Sequence, residues 1–215
     1  MRPTDEEIRA KREESRARKT ETQRLAKEAH KALLPTGVEF HEWPKVARLR
    51  RETVITEKID GTNAAVGVTE DGRVYAQSRK QLITPVADNH GFARWVAEHA
   101  DGLADELGPG LHFGEWWGKG VQRGYGLDEK RFSLFNVLRW QDAPLQLCST
   151  VPVLVHMDTF SDALVYATLD VLRESGSAAA PGFMDPEGIV LYHKASNTLF
   201  KQTLDDDDTG KEYGS

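Results

Sequence analysis

A lysine that ends a β-branched run and enters a turn of small polar residues is the part of this sequence best suited to covalent chemistry: Thr56-Glu57-Lys58-Ile59-Asp60-Gly61-Thr62-Asn63. A neutral amine is a nucleophile, and partial burial beside other cations lowers an amine's pKa enough to free its lone pair. The Asp-Gly-Thr-Asn turn adds backbone N–H groups, a hydroxyl and an amide at short range, all donors for a phosphate. Alone, the same residues describe an exposed lysine before a β-turn. They are followed, in order, by Ser78-Arg79-Lys80, Phe113-Gly114-Glu115-Trp116-Trp117-Gly118, Phe132-Ser133-Leu134-Phe135-Asn136-Val137, Glu187-Gly188-Ile189-Val190 and Leu199-Phe200-Lys201-Gln202-Thr203. Each has an ordinary reading when taken singly. Phe132, Phe135 and Trp140 suit a core, Glu115 a solvent-facing strand position, Glu187-Gly188 a turn after Pro186, and Lys201 a strand edge.

The ordered set resembles the covalent nucleotidyltransferase superfamily of polynucleotide ligases and messenger-RNA capping guanylyltransferases, and most closely its phage-type, nick-sealing RNA ligases. The likeness runs from about Pro44 to Leu204 and rests on Thr-Glu-Lys-Ile-Asp-Gly-Thr-Asn, the Phe-Gly-Glu-aromatic strand with Gly118-Lys119-Gly120-Val121-Gln122 behind it, and the aromatic segment that follows. It implies an ATP-grasp-like ligase domain that uses ATP with Mg²⁺ or Mn²⁺. Lys58 would attack the α-phosphate, release pyrophosphate and carry AMP to a 5′-phosphate end, after which a 3′-hydroxyl displaces AMP. By the same resemblance Glu57 contacts adenine through backbone or side chain, and Asp60 and Gly61 belong to the nucleotide-binding turn. Asn63 lies near the incoming 5′-phosphate, while Arg79 touches nucleotide and nucleic acid. Glu115 holds the ribose hydroxyls, Phe135 stacks on the base, Glu187 binds the metal and Lys201 grips the α-phosphate. These roles suit the residue types, since a carboxylate accepts from paired hydroxyls and an aromatic face stacks on a purine for roughly 1–3 kcal/mol.

Two other nucleotide motifs fail on spacing. Gly114 to Gly120 is one residue short of a phosphate loop and has no Ser or Thr after Lys119, and Gly118-Lys119-Gly120 is followed by Gly124 rather than a glycine at the dinucleotide-binding position. The chain departs from the ligase pattern at Thr203, where a second lysine is common. Only residues 205–215 follow, so no appended C-terminal domain is expected, and the grip on RNA falls to the domain face, the N-terminal helix or a protein partner. The alternatives are a compact DNA ligase, a GTP-using capping-type enzyme and a non-catalytic module that binds nucleic-acid ends.

The elements that must position these residues are short. Apolar runs broken by turns predict strands at Thr53–Glu57, Ala64–Val68, Arg73–Gln77, Leu111–Trp117, Arg131–Trp140, Val151–Val155, Gly188–His193 and Thr198–Thr203. Glu70-Asp71-Gly72 marks a hairpin. Helices are expected over Asn89–Leu107 and Ser161–Glu174, giving an α+β fold of mainly antiparallel sheets with flanking helices. Residues 1–34 read as a charged helical extension with a Thr4–Glu7 capping box and Asp5–Arg9, Glu7–Lys11 and Glu14–Arg18 pairs, closed by Pro35 and Gly37, and residues 35–215 as the ligase domain with an acidic tail.

Composition sets limits around this reading. The 215 residues are 39% hydrophobic and 29% charged, and no apolar run nears the roughly 20 residues of a membrane span. The N-terminus lacks the apolar stretch of a secretory signal, so a cytoplasmic location is expected. One cysteine, Cys148, and seven scattered histidines argue against a disulfide framework or structural zinc. The net charge of −6 divides into +3 for residues 1–34, −4 for residues 205–215 and −5 for the body, which disfavours a protein that grips polyanions with its whole surface. Two basic groups, Lys45 with Arg48, Arg50 and Arg51, and Lys119 with Arg123, Lys130 and Arg131, are candidate RNA contacts or merely solvated loops. Asp205–Asp208 is expected to be a solvated tail.

Overall fold

A computed structural model of the chain describes residues 5–34 and 36–205, with two compact units, Met1–Lys45 and Val46–Ser215. In the first, helix α1 (Asp5–Leu33) keeps its described side chains exposed and carries Glu14–Arg18, Glu21–Arg24 and Arg24–Glu28 ion pairs. Such pairs one turn apart each add only a few tenths of a kcal/mol. The Thr4–Glu7 box and the Asp5–Arg9 and Glu7–Lys11 pairs lie outside the described residues, as does Pro35. No described helix is long and apolar enough to cross a membrane.

The second unit is built on β1 (Glu52–Lys58), β2 (Thr62–Val68), β3 (Val74–Ser78), β4 (Leu82–Ile83), α2 (Phe92–Glu98), α3 (Ala100–Leu107), β5 (Gly110–Gly118), β6 (Lys130–Leu134), α4 (Val137–Trp140), β7 (Ser149–Thr150), β8 (Val153–Thr159), α5 (Asp162–Ser175), β9 (Gly188–His193) and β10 (Thr198–Thr203). A four-stranded sheet runs β10-β9-β1-β8 and a six-stranded sheet β4-β3-β2-β5-β6-β7. All pairings are antiparallel except β6 with β7. β1 lies between β8 and β9, and Thr53 to Glu57 are all buried. A strand covered on both faces needs a run of apolar and β-branched residues rather than an alternation. The β2–β3 hairpin turns at Gly72 (φ 80°), where Gly72 N–H donates to Thr69 O at 2.9 Å.

β5 divides the core. Its neighbours Trp116 and Trp117 face opposite sides, as successive strand residues must. Trp116 packs with Phe92, Phe132, Leu103 and Leu134 beneath α2 and α3, whereas Trp117 joins Tyr125, Val54, Ile59 and Val151. A third cluster, Ile55 with Leu169, Leu172, Ile189 and Leu191, lies under α5. The ring centroids of Phe92 and Phe132 are 5.1 Å apart, within the range of favourable aromatic pairs.

Three expected elements take another form. The single helix over Asn89–Leu107 is two, broken at His99 (φ −114°). His99 Nδ1 lies 2.8 Å from Trp95 O, so the side chain competes with the helical ladder. Asp88 caps the start of this segment, its carboxylate accepting from Ala93 N–H at 2.7 Å and Arg94 N–H at 3.1 Å. The strand over Arg131–Trp140 ends at Leu134, because Asn136 starts α4 by accepting from Arg139 N–H at 3.3 Å. The strand over Val151–Val155 runs on to Thr159 and starts only at Val153, after Pro152, which has no N–H for a ladder. There the chain passes from β7 in one sheet to β8 in the other, and Pro152 O accepts from Glu57 N–H at 2.9 Å.

Truncating the aromatic centre removes buried area and leaves a cavity. Phe132→Ala should lower the unfolding free energy by about 3–5 kcal/mol in chemical denaturation. A loss under about 1 kcal/mol would show that Phe92 and Trp116 repack around the gap.

Candidate active site

Strand register brings the chemistry together. Lys58 pairs with Gly188 across β1 and β9, and Thr203 pairs with Gly188 from β10. A Cβ on Gly188 would lie 2.2 Å from Gln202 O, so only glycine permits this approach. Glu187, one residue before the strand, receives Lys58: Nζ donates to Glu187 Oε1 in an ion pair with side chains 24% and 18% exposed. The other oxygen, Oε2, is buried and has no hydrogen-bond partner among the described residues. An unsatisfied buried carboxylate oxygen is costly, and a cation satisfies it. Among the described residues no group of three or more His, Cys, Asp or Glu is gathered for a metal. A divalent ion at Glu187 would therefore take its other ligands from water and phosphate, as Mg²⁺ commonly does.

The turn after Lys58 is pressed against β5. A Cβ on Gly61 would lie 2.5 Å from Trp116 O. Asp60 N–H donates to Tyr125 Oη at 2.8 Å, and the Asp60 carboxylate receives Arg123 Nε at 3.1 Å. Asn63 is paired in register with Glu115, and its Nδ2 donates to Glu115 Oε2 at 3.1 Å. Burial raises the Glu115 pKa to about 7; the Lys58 charge opposes this shift, Glu187 adds to it, Gly61 N–H opposes it and Asp60 adds to it. Glu115 is only 7% exposed and shares its surroundings with two further acids, so it holds its charge reluctantly at neutral pH.

Lys58, Asp60, Gly61, Asn63, Arg79, Glu115, Phe135, Glu187 and Lys201, with Glu57, line one cleft of about 1160 Å³ walled by both sheets. Phe135, displaced from the core by the end of β6, is 41% exposed on its wall, whereas Phe132 and Trp140 are buried. The side chains of Arg79 and Lys201 are exposed there. The Glu57 side chain is directed elsewhere. Its carboxylate accepts from Ser177 Oγ at 2.6 Å and Ala179 N–H at 2.9 Å, leaving the backbone as the part it offers a ligand.

Sequence reasoning missed Tyr125, Ser177 and the use made of Arg123. The RNA-contact reading of Arg123 is replaced by an ion-pair role, because its guanidinium meets Asp60, Asp185 and Asp205. Asp205 is solvent-exposed, as a tail residue should be, but it is also ion-paired with Arg123; residues 206–208 lie outside the described residues. Lys130 donates to His90 O at 2.7 Å, Arg131 pairs with Glu129 at 2.7 Å and Lys194 with Glu52 at 2.9 Å. His193 is a buried structural link whose ring lies 2.7 Å from Leu49 O and 2.8 Å from Ser196 Oγ.

Residues 51–203 match the RNA ligase family model, and the chain belongs to that family. No curated protein matches the sequence. The fold is similar to that of Naegleria gruberi RNA ligase. A lysine-to-alanine variant of that protein with ATP and Mn aligns at 17% identity and a TM-score of 0.52, covering 71% of this chain and 49% of its own. A glutamate-to-alanine variant with ATP and Mn gives 17% and 0.53, and a lysine-to-methionine variant with AMP and Mn 18% and 0.52, each covering 79% of this chain and 57% of its own. The chain thus spans about half the length of the structures it matches.

The Glu115 environment predicts a pH signature. A carboxyl whose folded pKa is raised binds its proton more tightly in the native state, so stability falls as pH rises from the unfolded value of 4.5 through about 7. Relative to Glu115→Gln, the wild-type protein should lose up to about 3 kcal/mol across that window in denaturation at a series of pH values. Parallel profiles for the two proteins would contradict the assignment.

Proposed function

We propose that this protein is an ATP-dependent RNA ligase that joins a 5′-phosphate to a 3′-hydroxyl through an AMP carried on Lys58. The observation that carries the reading is the Lys58–Glu187 pair, with its unsatisfied Oε2, set in a cleft with Glu115, Phe135, Arg79 and Lys201. Family membership and the ATP or AMP and Mn of the Naegleria structures support the choice of nucleotide and metal.

In the resting site Lys58 is tied to Glu187 and must leave it, as a free amine, to attack. Glu187 would hold a divalent cation, whose positive charge would offset charge growing on the phosphoryl oxygens and disfavour a proton on Lys58. Lys201 brings a second positive group from β10 to the same cleft and grips the α-phosphate. Glu115 receives the ribose hydroxyls, with Asn63 holding one of its oxygens, and Phe135 offers an exposed ring to the base. Lys58 Nζ then bonds to the α-phosphorus as the bond to pyrophosphate breaks. AMP passes to the 5′-phosphate of RNA, near Asn63 and Arg79, and the 3′-hydroxyl displaces it. Residues 35–215 serve as the catalytic body and residues 1–34 as a charged helical extension, and the grip on RNA comes from the body's face, that helix or a partner protein.

Incubation with α-labelled ATP or GTP and Mg²⁺ or Mn²⁺, followed by denaturation, tests the reading. ATP should label the wild-type protein, Lys58→Ala should abolish the label, and Glu187→Gln should slow labelling by about 10²-fold or more. Labelled protein should then seal nicked RNA. Label from GTP alone would support the capping-type alternative, sealing confined to DNA the DNA ligase alternative, and no label with either nucleotide a non-catalytic module.

A further inference from the structure

Arg123 belongs to none of the motifs, yet it has one carboxylate on each arm of its guanidinium. Nε donates to Asp60 Oδ2 at 3.1 Å, Nη1 lies 2.8 Å from Asp185 Oδ1 and 3.1 Å from Asp185 O, and Nη2 donates to Asp205 Oδ2 at 2.8 Å. The three acids mark three segments of the site. Asp60 lies two residues after Lys58, Asp185 two before Glu187, and Asp205 four after Lys201. Arg123 does not line the cleft, whereas Asp60, Lys58, Glu187 and Lys201 do. It contacts the three segments without itself lining the cleft.

The loop that presents it is over-determined. Gln122 (φ 45°) and Tyr125 (φ 52°) hold left-handed conformations that non-glycine residues rarely adopt. Tyr125 is buried, packs edge-on to Trp117 and accepts from Asp60 N–H. The loop therefore fixes Asp60 by its backbone and its carboxylate together. Thr203 contributes at the far end, where its Oγ1 donates to Asp205 O at 2.9 Å and so bends the chain back toward Arg123. The position at which a second lysine is common serves here to deliver an acid to the guanidinium.

We infer that Arg123 is a positioning residue that sets the mutual placement of the Lys58, Glu187 and Lys201 segments for transfer of the nucleotide to Lys58. The inference rests on the proposed function. Asp185 and Asp205 are 72% and 71% exposed, and isolated pairs at such exposure add little stability. A planar guanidinium that engages three chain segments at once supplies geometry instead: it fixes their separations, which a lysine's single ammonium cannot do.

Single-turnover labelling of the full chain over a range of ATP concentrations tests this. Arg123→Met should lower the maximal labelling rate by about 10²-fold while moving the apparent Kd for ATP by less than about threefold, since misplacement acts on the reacting geometry and not on uniform binding. Arg123→Lys should recover only a small part of the rate. Asp205→Asn should slow labelling by itself, and the double variant with Arg123→Met should be no slower than Arg123→Met alone, because both remove one device. A wild-type rate in Arg123→Met, additive effects in the double variant, or loss confined to ATP affinity would overturn the inference. If Arg123→Met does not fold, Asp205→Asn and Asp185→Asn, changed at exposed carboxylates, carry the same comparison. If the wild-type protein takes no label, the proposed function fails, and hydrogen exchange decides the clamp on its own. Exchange at residues 185–188 and 203–205 should quicken in Arg123→Met or, failing that, Asp205→Asn, with β1 and β5 unchanged; unchanged exchange at both segments would overturn it.

Discussion

The site depends on holding one amine against one carboxylate where neither is fully hydrated. Lys58 and Glu187 are brought together by backbone register, since β1 and β9 pair residue for residue down to Lys58 and Gly188. Partly buried charges cost free energy unless paired, and breaking such a pair strands the survivor. This pair is itself incomplete, because Glu187 keeps a buried oxygen without a donor. Glu115 nearby holds its charge reluctantly and Asp60 is already paired with Arg123, so the deficit of positive charge at the centre of the site is at Glu187 Oε2. That deficit suits a cleft whose ligand arrives as a polyphosphate with a cation.

Two crossings between the sheets keep the arrangement compact. At residues 59–61 the chain leaves β1 and enters β2 through a turn so close to β5 that Gly61 has no room for a side chain. At Pro152 it returns from β7 to β8, and Pro152 O receives Glu57 N–H beside Lys58. The buried Glu57 carboxylate then ties the 177–179 loop to the back of β1. Lys58 thus projects from a strand whose preceding residue is fixed by side chain and backbone, the kind of support that holds reacting groups in place.

Much of this frame is legible from local pattern. β1, β9, β10 and the β2–β3 hairpin follow from β-branched runs and an Asp-Gly turn, because their signals lie within a few neighbouring residues. The motif residues also meet in one cleft, although their roles in it rest on the proposed function. What pattern misses is decided at a distance or by one competing group. His99 breaks a helix through its own imidazole, Pro152 holds off the start of one strand, Asn136 ends another that hydrophobicity alone would extend, and Phe135 leaves the core that keeps Phe132. Arg123 is the clearest case, since its partners lie 63, 62 and 82 residues away and no local spacing records them. Read beside Lys119 it suggested a basic patch, and only the folded chain shows three carboxylates around it.

The most direct test of the covalent account is to map the modified site. The protein would be incubated with ATP and Mn²⁺ and digested, and its peptides sequenced by mass spectrometry. The account predicts one AMP per chain, bonded to Lys58 and labile to acid as a phosphoramidate must be. AMP on another residue, or unmodified Lys58 in folded protein that has bound ATP, would contradict it.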